Sequence, residues 1–193
     1  MVDRKAVITP DIKNFMKDYK QQVIDFFNRR TNYDNEGSNH LLEAKQLLEY
    51  VAIAPNQTIL DLATGTGLIA IDAAQKVTSM GSVIGVDISS GMLAQAKEKI
   101  VSQGLDNLEL IKADIESIEF QPEQFDRIFC CSAIMYVENI PQMFAKCYSW
   151  LTPGGYFAFS TSYKTAYNGE LKVRICRELF GIDYPQIKIT KNF

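Results

Sequence analysis

Three short segments, Ile59-Leu60-Asp61-Leu62, Val83-Ile84-Gly85-Val86 and Ile128-Phe129-Cys130-Cys131, are nearly all apolar, and longer stretches of helical periodicity separate them. A strand with one face in water alternates apolar and polar residues, whereas a strand apolar on both faces needs cover on both. That combination predicts an α/β fold with a mostly parallel sheet between two helical layers. The pattern places strands at Thr58 to Leu62, Ser82 to Val86, Leu108 to Lys112, Phe125 to Cys130 and Tyr156 to Ser160, the last following Pro153-Gly154-Gly155. Helices are expected at Leu68 to Val77, Met92 to Ser102 and Pro141 to Leu151.

Two more helices precede this rhythm. Thr9-Pro10 reads as a cap and first turn, after which Ile12, Phe15, Met16, Tyr19, Val23 and Phe26 recur at helical spacing. A second helix spans about Leu41 to Tyr50. The 193 residues suffice for one domain with a full core, and 20 Lys plus Arg against 23 Asp plus Glu leave a net charge of −3. Such a balance offers no field to attract a nucleic acid backbone. No apolar run is long enough for a bilayer, no secretory pattern opens the chain, and the cysteines suit a reducing, cytoplasmic setting. Cys130 and Cys131 are adjacent and His40 is the sole histidine, so no first shell for a metal is expected.

The strongest local signal joins the first core strand to its helix. In Asp61-Leu62-Ala63-Thr64-Gly65-Thr66-Gly67 the glycines permit a tight turn and close approach of a ligand. Gly65-x-Gly67-x-x-Ala70 is followed by Asp87 at the end of the next strand, 20 residues after Gly67. An acid so placed accepts hydrogen bonds from ribose hydroxyls. The spacing serves NAD and any other adenosine-containing ligand alike.

These residues, with Val86-Asp87-Ile88-Ser89, Gly91-Met92-Leu93, Ala113-Asp114-Ile115-Glu116, Phe125-Asp126-Arg127-Ile128 and Leu151-Thr152-Pro153-Gly154-Gly155, form an ordered set. From about Asn56 to Ser160 the chain resembles class I S-adenosylmethionine-dependent methyltransferases, in particular the small-molecule branch of ubiquinone/menaquinone C-methyltransferase-like enzymes. The resemblance implies an open Rossmann-like three-layer sandwich and S-adenosyl-L-methionine as cofactor, with S-adenosyl-L-homocysteine as product. It implies that the turn with Ala63, Gly65 and Gly67 holds the methionyl part, that Asp87 binds both ribose hydroxyls, and that Asp114 meets the adenine amino group. Asp61 is expected to face the cofactor's amino group or to cap the turn locally. Ile88 and Met92 are expected beside the adenine ring, with the Ile115 amide directed to it.

Methyl transfer from a sulfonium needs an aligned nucleophile and exclusion of water, with a base only where the acceptor must lose a proton. His40 is the candidate base or donor, its alternative being a cap or a solvent-facing residue. Cys131 is expected as a thiol near the pocket in a segment, Cys130 to Tyr136, facing a small organic acceptor. Tyr19, Tyr33, Tyr136 and Tyr163 are the aromatic candidates for acceptor contact. Residues 1–54 are accordingly expected as a helical lid and substrate-side region, 55–160 as the cofactor-binding core, and 161–193 as a C-terminal helix and tail. The competing readings are an NAD-dependent oxidoreductase and a cofactor-binding scaffold without turnover.

The family fold adds sixth and seventh strands as an antiparallel edge, yet after a helical pattern at Glu170 to Phe180 only Gln186 to Thr190 resembles a strand. The uncharged fifth strand would make a poor bare edge. Modified closure by the tail, shielding by a second subunit in a homo-oligomer, or truncation relative to a longer enzyme would each resolve this, and truncation is the favoured expectation.

Overall fold

The computed structural model of the chain describes residues 10–36 and 40–161. Helices α1 (Pro10–Asn28) and α2 (His40–Tyr50) precede β1 (Thr58–Leu62), α3 (Leu68–Val77), β2 (Ser82–Asp87), α4 (Ser90–Gln103), β3 (Leu108–Lys112), β4 (Phe125–Cys130), α5 (Ile140–Trp150) and β5 (Leu151–Phe159). The strands form one sheet in the order β3-β2-β1-β4-β5, and every neighbouring pair is parallel. Among the described residues no helix is long and apolar enough to cross a membrane.

Strands apolar on both faces divide their side chains between two cores. Ile59 of β1 and Phe129 of β4 pack with Ala70, Ala73, Ala74 and Val77 of α3 and with Ala44 and Leu48 of α2. At the alternate positions of the same strands, Leu60, Leu62, Ile128 and Cys130 point to the other layer, against Met143, Cys147 and Trp150 of α5. Trp150 is buried, with Phe120 edge-on at 5.2 Å. Burial of apolar surface at roughly 25 cal/mol per Å² is the main force holding these layers together.

Capping explains where two helices begin earlier than their apolar periodicity indicates. Ser89 Oγ accepts the Met92 amide at 3.1 Å, so α4 opens at Ser90. Asn139 Oδ1 accepts the Gln142 amide at 3.1 Å, so α5 opens at Ile140.

The expected start of the last strand at Tyr156 needs correction. β5 begins at Leu151, directly after α5. Leu151 pairs with Phe125, and the next partners are Tyr156 and Arg127, with an irregular register between. Pro153-Gly154-Gly155 is therefore an irregular excursion within the strand rather than a turn before it, and Gly154 supplies the left-handed residue at φ 81°. Among the described residues β5 is a terminal strand of this sheet. The helix expected at Glu170 to Phe180, the strand at Gln186 to Thr190, and Tyr163 lie outside the described residues.

In this order the chain leaves β1 in one direction through β2 and β3, and in the other through β4 and β5. A crevice opens at the carboxyl ends of strands where such an order reverses, and the loops after β1, β2, β3 and β4 converge there.

Candidate functional site

The loop after β1 makes three left-handed excursions, at Ala63 (φ 55°), Gly65 (φ 57°) and Gly67 (φ 82°). Ala63 pays a steric cost for this conformation that a glycine would not, a kind of strain that gathers at functional sites. Gly65 lines two adjoining cavities, and a Cβ built on it would meet no protein atom within 4 Å. Gly67 lines neither; it caps α3.

Two buried carboxylates brace the turn. Asp61 Oδ2 accepts hydrogen bonds from Thr64 Oγ1 at 2.7 Å and from the Ala70 amide at 3.2 Å. Burial pushes Asp61 up to about 7 against the pull of these two donors, and the Asp87 charge adds to the rise. Asp87 Oδ2 accepts the Gly65 amide and Oδ1 the Ser89 amide, both at 2.8 Å. Burial raises its pKa, while backbone bonds from Ser89, Gly65 and Ile88 oppose the rise. The ends of β1 and β2 are thus locked in a single arrangement of amides and carboxylates.

The larger cavity has a volume of about 810 Å³ including its open mouth. Ala63, Gly65 and Asp87 line it from the strand ends, and Ile88, Met92 and Ile115 supply apolar walls. Asp114 stands beside them, its Oδ1 accepting the Glu116 amide at 2.9 Å. From α1 come Tyr19, Lys20, Val23 and Phe27, and from beyond β4 come Cys131, Ser132 and Tyr136. Phe27 meets Tyr136 edge-on at 5.7 Å. Burial raises the Tyr19 phenol's pKa, with Tyr136, Glu138 and Glu116 adding to it, and burial pushes Tyr33 up to about 12.

The smaller cavity contains Asp61, Thr64, Thr66 and His40 and shares Tyr33, Ala63, Gly65, Cys131 and Ser132 with the larger one. His40 is the first residue of α2, and its ring stacks on Tyr33 with centroids 4.7 Å apart. Burial lowers its pKa; Glu43 works against this and Arg30 with it, so the imidazole stays neutral at pH 7. Burial raises the Cys131 thiol's pKa as well, against the pull of its hydrogen bonds to Ser160 and Ser132. Ser132 adopts φ 52°, its amide donates to Ser160 Oγ at 2.8 Å, and its hydroxyl is hydrogen-bonded to Glu43.

A strap formed by the end of α1 and the turn at Tyr33–Asn35 is tied to this floor. Asn28 Oδ1 accepts from Ser89 Oγ at 2.8 Å and from the Gly91 amide at 2.9 Å. Gln95 Nε2 donates to the Arg30 carbonyl at 2.8 Å, and Asp34 receives Thr66 Oγ1 at 2.5 Å and Lys99 Nζ at 2.7 Å. Lys20, Asn28, Asp34 and Glu43 carry no local sequence signal. Each looks like an ordinary polar residue on a helix or loop until the elements dock.

These features meet the requirements of an adenosyl ligand: a paired-amide carboxylate at the end of β2, apolar walls for a flat ring, and an open cradle at Gly65. A family model described as a methyltransferase domain matches residues 53–189. Aklanonic acid methyltransferase DauC of Streptomyces sp. (strain C5) is 28% identical over 145 residues, covering 74% of this chain and 66% of that protein. The ubiquinone/menaquinone biosynthesis C-methyltransferase UbiE of Geotalea daltonii is 33% identical over 134 residues, covering 68% of this chain and 54% of its own length. A crystal structure of a SAM-dependent methyltransferase from Aquifex aeolicus superposes with a TM-score of 0.57 at 21% identity, covering 75% of this chain and 71% of that one. At that identity the likeness concerns the fold, and the chain spans between about half and two thirds of the length of the two curated relatives. The family match takes in the whole sheet, the braced glycine turn and the acids at the end of β2 and after β3, and this chain belongs to the methyltransferase domain family.

Proposed function

We propose that this chain is an S-adenosylmethionine-dependent methyltransferase acting on an O, N or C nucleophile of a small organic molecule. The observation that carries the reading is Asp87, buried yet lining the cleft and braced by the Gly65 and Ser89 amides at 2.8 Å. A carboxylate so fixed retains lone pairs for a vicinal diol while its orientation is set in advance.

Asp87 would receive the ribose hydroxyls, Asp114 the adenine amino group, and Ile88, Met92 and the Ile115 backbone the ring. The smaller cavity would take the amino-acid end, with Asp61 facing its ammonium. Bound in this way, S-adenosylmethionine supplies a methyl group already activated by a sulfonium, so the transfer is an in-line displacement without a covalent enzyme intermediate. Tyr33, Cys131 and Ser132, which line both cavities, then stand where the donor's two halves meet. Tyr19, Tyr136 and Phe27 exclude water and form an aromatic wall suited to a flat acceptor. His40, neutral and stacked on Tyr33, is the candidate proton acceptor for a nucleophile that must be deprotonated. Residues 1–54 would serve as lid and acceptor side and 55–160 as the donor-binding core.

Isothermal titration calorimetry with S-adenosylhomocysteine, S-adenosylmethionine and NAD tests the reading. Saturable binding of the first two without NAD binding is expected. Folded protein that ignores both adenosyl ligands overturns the proposal.

A further inference from the structure

Lys20 projects from α1 into the acidic end of the larger cavity. Its Nζ lies 2.6 Å from Asp114 Oδ2, 2.9 Å from Glu116 Oε2 and 3.7 Å from Glu138 Oε1. The Lys20 and Asp114 side chains are each 26% exposed, so this is a partly desolvated contact rather than a surface pair. Burial alone would lower the Lys20 pKa, but hydrogen bonds to Asp114 and Glu116 and their charges outweigh it, and the ammonium keeps its proton.

The partners of Lys20 are themselves held. Glu116 accepts the Glu138 and Asn139 amides at 3.1 and 2.9 Å, which anchors it to the loop before α5. Asp114 has one oxygen on the Glu116 amide and the other on Lys20. Without the ammonium only one of its two oxygens would be fixed. Three carboxylates would also stand together without the ammonium that touches their oxygens, Lys146 being held on the Glu116 and Ile118 carbonyls instead, and their repulsion would turn the most mobile of them toward water.

We propose that Lys20 is a positioning residue for adenine recognition: its ammonium fixes the orientation in which Asp114 receives the base's amino group. The inference rests on the donor placement proposed above. A fixed carboxylate accepts from a 6-amino purine and repels a 6-oxo purine, so Lys20 governs selectivity for the base as well as affinity. A residue that merely supported α1 would change affinity for both bases alike.

The test uses calorimetry of the full chain with S-adenosylhomocysteine and its 6-oxo analogue, S-inosylhomocysteine. Wild-type protein is expected to prefer the amino form by about tenfold or more, the scale of one well-made polar contact. In Lys20→Met the preference is expected to fall below about threefold, in Lys20→Arg to return, and in Lys20→Met with Asp114→Asn to match Asp114→Asn alone. Unchanged preference in Lys20→Met, or equal loss of affinity for both ligands, overturns the inference. Should Lys20→Met fail to fold, Lys20→Gln asks the same question, and an unchanged ratio there is equally decisive. Wild-type protein that binds neither ligand refutes the methyltransferase reading itself, whereas wild-type binding without a Lys20 effect refutes only this inference.

Discussion

The Asn28 side-chain oxygen lies 2.9 Å from the Gly91 amide nitrogen and accepts its hydrogen, joining the end of α1 to the start of α4. This contact sets how closely the strap lies over the floor of the larger cavity. A Cβ built at Gly91 would sit 3.0 Å from both the Cα and the carbonyl oxygen of Asn28, and backbone atoms cannot yield as a side-chain tip can. Alanine gains up to about 1 kcal/mol of helix propensity over glycine, so only a larger steric cost produces net destabilisation. Gly91→Ala is expected to lose about 1–3 kcal/mol in urea unfolding followed by Trp150 fluorescence, and to bind S-adenosylhomocysteine more weakly. Wild-type stability would mean that α1 and α4 do not make this contact in solution.

Asp87→Asn is expected to lower affinity for S-adenosylhomocysteine by about 100-fold. Each carboxylate oxygen of Asp87 holds one backbone amide, and an asparagine has only one oxygen, so it sets an NH₂ against either Gly65 or Ser89. An unmet buried amide costs about 1–3 kcal/mol, and the ribose loses a charged acceptor as well. Glu116→Gln retains an acceptor for the Glu138 and Asn139 amides, and calorimetry should find its loss several-fold smaller. Equal losses would contradict the assignment of the ribose to Asp87.

Asp61 is expected to make stability and ligand binding depend on pH. Its folded pKa, about 7, lies above the ordinary carboxylate value of 3.8, so between these values the folded state holds a proton that the unfolded state has released. Stability therefore falls as pH rises from about 4 to about 7 and is flat above, by a few kcal/mol relative to Asp61→Asn. A ligand ammonium beside Asp61 favours the ionised form. Affinity for S-adenosylhomocysteine should thus rise with pH up to about 7 and then level, with proton release seen as a buffer-dependent calorimetric enthalpy. A pH-independent difference between wild type and Asp61→Asn would place the carboxyl in water.

The single histidine allows an unambiguous titration. Burial beside Tyr33 holds the His40 imidazole below its ordinary 6.5, and NMR of its ring protons should report a midpoint under that value. His40→Phe, which keeps the stacked ring, should preserve the melting temperature better than His40→Ala. A midpoint at or above 6.5 would argue against the stacked, half-buried placement.

The sequence by itself determined the features that reside in contiguous residues. Runs such as Ile59 to Leu62 declare strands covered on both faces, and the glycines at 65 and 67 declare a turn. Asp87 follows from strand length, because the acid at the end of β2 must face the turn at the end of β1. Pro153-Gly154-Gly155 carries the local pattern of a strand breaker, whereas pairing with β4 on both sides of it carries β5 through the irregular register. Only the tertiary structure decided the pairs of distant residues: Lys20 with Asp114 across 94 positions, Asn28 with Gly91 across 63, and Ser132 with Glu43 across 89. Local pattern encodes backbone conformation and burial periodicity. A polar residue's partner, and the protonation of a carboxyl such as Asp61, depend on which elements dock over it and how completely they exclude water.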